Sequence, residues 1–530
     1  MTNPSGPSQR DVTNPAGTSQ RESGFRRAVA RNWTTRIQVS GWRFMFHRLE
    51  HALVRRDTQM LHDPMRSTSR AMIVGVILAV LVGAGAVVMS FLSPQAKLND
   101  ADIVADKDTG ALYVRINDGT NDLLHPVLNL PSAQLIIGSP KNPTFVKPAE
   151  LATLPRGPLV GIVGAPERTP NPVAASEAKW SVCDDTTPAG ETTVTVIGAP
   201  PTLSDAIGPL PAGSAILAGF GDQAFLIYDN KRTPINLEDK AVALAVGVDS
   251  SAPPVLPISR GLHDALEETP PLVVPAIAAA GSPSPWSLPA SVVIGSIIKV
   301  RPVDGGEDAF YVVLTDGVER VSAVTAAIIR NADQRNPPPP IEVAPNAMLS
   351  IPTSRALNVD FYPDKPLKLI DPVAAPVTCL SWTQSRDETK PRTAVLTGRT
   401  LPLPTDAHPV SVVTADPAGG TASAVYIPPG TGQLVQIAGG SPTAATGESQ
   451  WYIADTGVRY GLVTSGANPR DNPQVSLGIT AQPLPAPWSI ISLLPAGPAL
   501  SKEDALISHD SLPADPRPGV VSTKANQAGG

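Results

Sequence analysis

The sequence predicts a single-pass membrane protein whose large part beyond the membrane is an α+β body of duplicated β-hairpin and helix units around a β-rich core. Three observations lead there: one long uncharged apolar run near the N-terminus, a composition rich in proline and glycine yet apolar, and a hairpin pattern that returns four times. At 530 residues the chain exceeds one ordinary core, so two to four domains or a run of repeated units are expected. With 59 prolines and 42 glycines beside 4% aromatic residues, it should consist of short elements divided by turns. The 42% apolar share, gathered in short runs of valine, isoleucine and leucine, argues for strands over disorder.

The apolar run is AMIVGVILAVLVGAGAVVMSFL, Ala71 to Leu92. At about 1.5 Å rise per residue it spans roughly 33 Å, enough for a hydrocarbon core of about 30 Å. A cleaved signal peptide is the rival, but its apolar region runs only about 7–15 residues close to the N-terminus. About ten arginines, including Arg26, Arg27, Arg31, Arg36, Arg55, Arg56, Arg66 and Arg70, crowd residues 24–70 against Glu50, Asp57 and Asp63. Asp100, Asp102, Asp106 and Asp108 follow the run. The positive-inside rule keeps residues 1–70 in the cytosol and sends the rest across. Gly75, Ala79 and Gly83 recur every four residues and would let a partner helix approach, although small residues are also simply common in spans.

Ahead of the span, Thr35 to Leu61 reads as an amphipathic helix, with Trp42, Met45, Phe46, Leu49, Leu53, Met60 and Leu61 near helical spacing. Such a stretch lies on an acidic inner leaflet or docks a partner. Arg36, Trp42, Phe46, Leu49, Leu53, Arg55 and Arg56 are the candidate docking residues. Residues 1–23, rich in Ser, Thr, Asn, Pro and Gly, suit a disordered tail. The net charge of −6, without a basic domain interleaved with aromatics, gives no case for nucleic acid.

Beyond the span a strand, a tight turn bearing Asp, Asn or Gly, a second strand and a small-residue apolar segment recur. The copies begin at Ala111 (ALYVRINDGTNDLLHPVLNL), Ala224 (AFLIYDNKRTPINLEDKAVALAVG), Ala309 (AFYVVLTDGVERVSAVTAAIIRNA) and Gln450 (QWYIADTGVRYGLVTSG). The first and third share one kind of continuation and the second and fourth another, an A, B, A, B order that suggests duplication of a half. AKWSVCDDTTPAGETTVTVIG from Ala178 and APVTCLSWTQSRDETKPRTAVLTG from Ala375 fit neither kind, and both set Cys and Trp close together in a strand. They could pair into one central sheet. Cys183 and Cys379 are the only cysteines and lie on the oxidising side of the membrane, so a disulfide is expected, with two separate buried thiols the other reading. Closing a loop of that length is worth roughly 4–5 kcal/mol in the chain-entropy model.

Motifs of known chemistry are missing. There is no G-x-x-x-x-G-K-[ST] to cradle phosphates, no G-x-S-x-G elbow and no cluster of His and Cys for zinc. His47 and His51 stand one helical turn apart without an evident third ligand. His125, His263, His408 and His509 are scattered, and Asp106 with Asp108 reads as a solvated turn before the first hairpin. Pro337 to Pro340 reads as a linker or a polyproline ligand.

SGWRFMFHRLEHALVRRDTQM, one span, then IVADKDTGALYVRI, LHPVLNL, LPRGPLVGIVGAPE, DTGVRYG and LSKEDALISHDSLP, in that order, resemble the EccB family, a core membrane component of type VII (ESX) secretion systems. The resemblance covers essentially everything after residue 24. It implies an elongated periplasmic body with a disulfide-held core domain and two pairs of repeat domains related by quasi-twofold symmetry, anchored in the cell inner membrane. It further implies assembly with EccC, an FtsK-like motor ATPase, and with EccD and EccE, and dimers or higher oligomers through the periplasmic bodies. No cofactor is expected; the alternative is ATP, since members of the family have been described as ATPases. The division expected is a disordered cytosolic tail (1–23), a basic amphipathic helix (24–70), the transmembrane helix (71–92), repeat domain one (97–170), a central core (171–203 with 372–415), repeats two (204–280), three (290–371) and four (416–500), and a C-terminal tail (501–530).

Overall fold

The computed structural model describes residues 35–56, 65–92 and 101–512, except 118, 120, 173, 188–190, 303–304, 334–338, 417–418, 438–448, 465 and 467. The expected N-terminal tail and the end of the chain after residue 512 lie outside the described residues. The chain divides into two compact units, Met1–Pro94 and Gln95–Gly530.

The first unit holds two helices. Arg36–Arg55 starts on a capping box: the Thr35 hydroxyl accepts from the Gln38 amide, and the Gln38 side chain accepts from the Thr35 amide. It is shorter than the expected 24–70 arm, because Arg56 turns into the left-handed region (φ 52°) and stops it. Met65–Leu92 is a single helix, so the basic stretch from Met65 to Arg70 belongs to this apolar helix and not to the arm.

The second unit repeats one chain path four times: a three-stranded antiparallel meander, a helix, a fourth strand lying parallel to the first, a short helical turn, and a segment returning parallel to the third strand. Module one runs through strands Ile103–Asp106, Leu112–Asn117 and Asp122–Pro126, helix Leu130–Ile137 and strand Thr144–Val146. Module two uses Ser214–Phe220, Gln223–Tyr228, Lys231–Ile235, helix Lys240–Val246, Leu256–Pro257 and the added strand Glu267–Glu268. Module three uses Ile297–Val300, Ala309–Val313, Val318–Val321, helix Ala323–Ala332 and Ile341–Glu342. Module four uses Gly432–Ile437, Gln450–Ala454, Arg459–Gly461, helix Pro473–Ser476 and Leu484–Ala486. Local chemistry sets each boundary. Asp229 and Asn230 take positive φ to turn the second hairpin. Asn129, Asp239 and Ser322 cap the module helices with side-chain oxygens, and Gly138 and Gly247 end the first two in the left-handed region.

Module pairs share apolar cores. Leu135, Ile136, Tyr452, Leu477 and Leu500 pack modules one and four together. Leu226, Val242, Val246, Val312, Val324 and Ile328 do the same for two and three.

Between them lies a seven-stranded sheet in the order Val410–Ser411, Ala424–Tyr426, Thr193–Ile197, Glu177–Asp185, Val377–Ser385, Arg392–Gly398, Ile207–Pro209. This core is wider than the expected 171–203 and 372–415, because Ile207–Pro209 and Ala424–Tyr426 are recruited as further strands. The expected tail from residue 501 also starts as structure. Ser501 caps helix Lys502–Ala505, the buried Ala505 packs against module one, and Ser508–His509 pairs with Leu159–Val160.

Candidate functional site

The second helix contains the 21-residue segment Ser69–Met89, long and apolar enough to cross a membrane, with a mean hydropathy of 2.8, and none of that segment is buried against other described residues. Ala71, Gly75, Ala79 and Gly83 lie inside this helix at four-residue steps, Leu92 is its last residue, and no heavy atom stands within 4 Å of where a Cβ would sit on Gly75 or Gly83. On the arm helix Trp42, Phe46, Leu49 and Leu53 are exposed, and the Trp42 and Phe46 rings lie 5.4 Å apart. Arg36 and Arg55 are the helix's first and last residues and Arg56 its cap, so the predicted docking residues fall on one element. His47 pairs with Glu50 at 3.5 Å.

In the core sheet the two central strands run antiparallel with Cys183 opposite Cys379 and Trp180 opposite Trp382. The cysteines form the disulfide, with a Cα–Cα distance of 4.0 Å, and both are fully buried. Side chains alternate across the sheet. The disulfide face packs on Ile197, Ile207, Val377, Leu396 and Tyr426. The tryptophan face is covered by Ile216, Ala218 and Leu262 of module two and Val435, Ile490 and Leu493 from module four. The helical turns Arg260–Ala265 and Trp488–Ile491 meet there, close enough that a Cβ on Gly261 would stand 2.9 Å from Leu493.

Two residues that sequence reasoning passed over fasten module two to this sheet. Asp184 is buried, and its carboxylate accepts from the Ser259 amide (2.6 Å) and hydroxyl (2.7 Å). Burial pushes its pKa up to about 6, against the lowering effect of those two bonds. Asn230, at the tip of the second hairpin, accepts from the Val395 amide of the core at 2.7 Å. A third escaped notice in module four: Arg459 lies between the Trp451 and Trp488 rings, about 5 Å from each centroid, and donates to the Leu494 carbonyl. Arg232 on the matching strand of module two stacks on Phe225 and donates to the His263 carbonyl.

The histidines are not brought together. His125 bonds the Pro158 carbonyl, His263 the Asp264 carboxylate and His509 the Gly161 carbonyl. Among the described residues no three His, Cys, Asp or Glu form a group that could hold a metal ion. Asp106 accepts from the Asp108 and Thr109 amides, which makes this stretch a turn.

A family model described as Type VII secretion system ESX-1, transport TM domain B matches residues 31–514. The chain belongs to the EccB family of type VII secretion. EccB3 of Mycolicibacterium smegmatis, called an ESX-3 secretion system ATPase, is 40% identical over 490 residues, covering 92% of this chain and 93% of that protein. EccB1 of Mycobacterium tuberculosis, called an ESX-1 secretion system ATPase, is 38% identical over 499 residues, covering 93% and 99%. A chain of an intact ESX-5 inner membrane complex superposes with a TM-score of 0.71 at 36% identity, covering 92% of this chain and 98% of that one. The EccB3 dimer from the ESX-3 core complex gives 0.67 at 39%, covering 77% and 100%. In this EccB-family chain an open cleft of about 460 Å³ lies beside Asp222, Pro234 to Glu238 and Pro271 to Val273. Its lining carries two carboxylates and no basic side chain, a poor match to a triphosphate.

Proposed function

We propose that this EccB-family protein is a structural core component of a type VII secretion machine in the inner membrane. Its N-terminal arm is cytosolic, one helix crosses the membrane, and the body stands in the periplasm. The observation that carries this reading is the build of the body: paired modules share apolar cores, and buried polar groups fasten module two to a disulfide-locked central sheet. The alternation of module kinds and the matched Arg232 and Arg459 stacks support duplication of a half, with a quasi-twofold axis near the Cys183–Cys379 pair. In this reading EccB dimerises through the periplasmic bodies and assembles with EccC, EccD and EccE type proteins; its relative EccB3 is described as a dimer from the ESX-3 core complex. The Gly75, Ala79, Gly83 face of the span serves helix contacts, and the arm from Arg36 to Arg56 contributes to docking on the cytosolic side. No cofactor is required for this role.

Sedimentation of the body, residues 97–530, tests it: a concentration-dependent dimer is expected, and a monomer at every accessible concentration counts against the proposal. A second reading, an ATPase with a site other than a P-loop, is favoured by the names of the relatives. ATP turnover by the purified full chain, free of P-loop proteins, should stay at background; clear turnover would move the function to that reading.

A further inference from the structure

Modules one and four follow the same backbone path at the edge formed by their fourth strands. In both, this strand lies parallel to the first, with Val104 beside Thr144 in module one and Val435 beside Leu484 in module four. In both, a glutamine of the module helix donates its side-chain amide to the carbonyl seven residues on, Gln134 to Lys141 and Gln474 to Ala481. Asn142 and Pro143 therefore correspond to Gln482 and Pro483. In module four these two carbonyls hold an arginine. Arg386, just past the core strand Val377–Ser385, donates Nη2 to the Gln482 carbonyl and Nε to the Pro483 carbonyl, both at 3.1 Å. In module one, among the described residues, no donor reaches the Asn142 and Pro143 carbonyls.

The module one edge also offers more than its counterpart. Lys107 donates to the Val146 carbonyl, so the alternation of a strand turns the amide and carbonyl of Phe145 to the free edge. Phe145 itself is 61% exposed. Module four has Pro485 at this place, which has no N–H to give.

We propose that the edge from Asn142 to Phe145 docks an extended, arginine-bearing segment of another protein of the assembly. The guanidinium takes the two carbonyls as Arg386 takes theirs, the stem of the arginine lies along the Phe145 ring, and the backbone of the segment pairs with Phe145. Two successive carbonyls call for two N–H groups held in one plane, which arginine has and lysine lacks. Pro143 and Pro148 bound the edge, so Phe145 is its one pairing residue and the arginine is the anchor. A second copy of this chain would have to bring a different arginine, since Arg386 is engaged within its own body. The proposal rests on the assembly role argued above.

Photocrosslinking in the intact inner-membrane complex tests it, with p-benzoylphenylalanine in place of Phe145. The side chain is exposed, so the replacement leaves the module core untouched. The same residue in place of Leu349, 88% exposed in module three, gives the background. A yield several-fold above that background is expected, on a peptide with an arginine within about three residues, roughly 10 Å of strand, of the joined position. Changing that arginine to alanine or to lysine should lower the yield several-fold. A yield no higher than at 349, a joined peptide without such an arginine, a joined second copy of this chain, or a yield unmoved by either change would overturn the proposal. Recovery of the wild-type chain without any partner sinks the assembly role and the docking site together. A complex recovered intact with position 145 unjoined sinks the docking site alone.

Discussion

Asp184 offers the sharpest test of how the modules are fastened to the core. Its carboxylate receives two hydrogen bonds from Ser259, the cap of the Arg260–Ala265 turn, and both residues are buried where module two meets the central sheet. Two such bonds ordinarily lower a carboxyl pKa, yet burial outweighs them and raises this one from 3.8 to about 6. A pKa raised in the folded state means that folding favours the protonated form. The resulting stabilisation is fully present below about pH 3.8 and is lost as the pH rises through about 6. A shift of about two units at 1.36 kcal/mol each corresponds to about 3 kcal/mol. Asp184→Asn stays neutral at every pH and keeps an oxygen for the Ser259 amide, so it should be free of this pH dependence. Urea unfolding of the body at about pH 4 and about pH 8 measures both proteins, and the other titrating groups cancel in the difference between them. Because pH 4 already lies just inside the window, the variant should be favoured relative to wild type by about 2.5 kcal/mol more at the higher pH. A difference between the two proteins that is the same at both pH values would refute the reasoning.

Replacing both cysteines, Cys183→Ala with Cys379→Ala, should lower stability by up to about 4–5 kcal/mol in the chain-entropy model, read as a shift of the denaturation midpoint. Gly261→Leu forces a side chain against Leu493 at the meeting of two helical turns and should cost about 1–3 kcal/mol by the same assay, whereas Gly208, with open space around it, should accept alanine with little loss from crowding. Arg459→Ala removes a guanidinium stacked on two tryptophans and its bond to the Leu494 carbonyl. A loss of about 1–2 kcal/mol with a changed near-ultraviolet tryptophan dichroism is expected, and Arg459→Lys should restore little of it because the planar fork is gone.

How much of this was legible follows from range. The hairpins were visible because turn and alternation sit in one stretch, as in AFLIYDNKRTPI, where Asp229 and Asn230 turn the chain between Tyr228 and Lys231. The first strand of each module was missed: IVAD and IIKV are too short to show a period, and SAILAGF and GQLVQI lack a strict alternation. The parallel fourth strands were missed because a pairing such as Val104 with Thr144 leaves no local mark. The cysteine pair was legible by count, and the shared Cys and Trp pattern pointed to one sheet for both segments, but the register that sets Cys183 directly opposite Cys379 was not legible. Asp184 stands in CDDTTPAG with no local mark that sets it apart from Asp185 beside it. Only the fold reveals that it faces inward to Ser259, 75 residues away.

The way the modules pair also limits what the disulfide can do. Module one shares its core with module four across the loop that the bridge closes, whereas modules two and three, which also share a core, both lie inside that loop. Leu135 and Leu500, for example, belong to one cluster. The bridge shortens the covalent path between them from about 365 to about 170 residues, which in loop-closure terms is worth only about 0.7 kcal/mol. Fully burying a leucine against its partner contributes about 1.5–3 kcal/mol, and the one–four cluster contains more than a dozen buried apolar side chains. The pairing of modules therefore rests on their apolar surfaces, and the bridge acts mainly on the loop it closes. Limited proteolysis should accordingly leave modules one and four held together in the reduced body under conditions where it remains folded, even though its midpoint has fallen. Release of module one on reduction alone, with the rest still folded, would show that the bridge, and not the shared core, holds the halves in place.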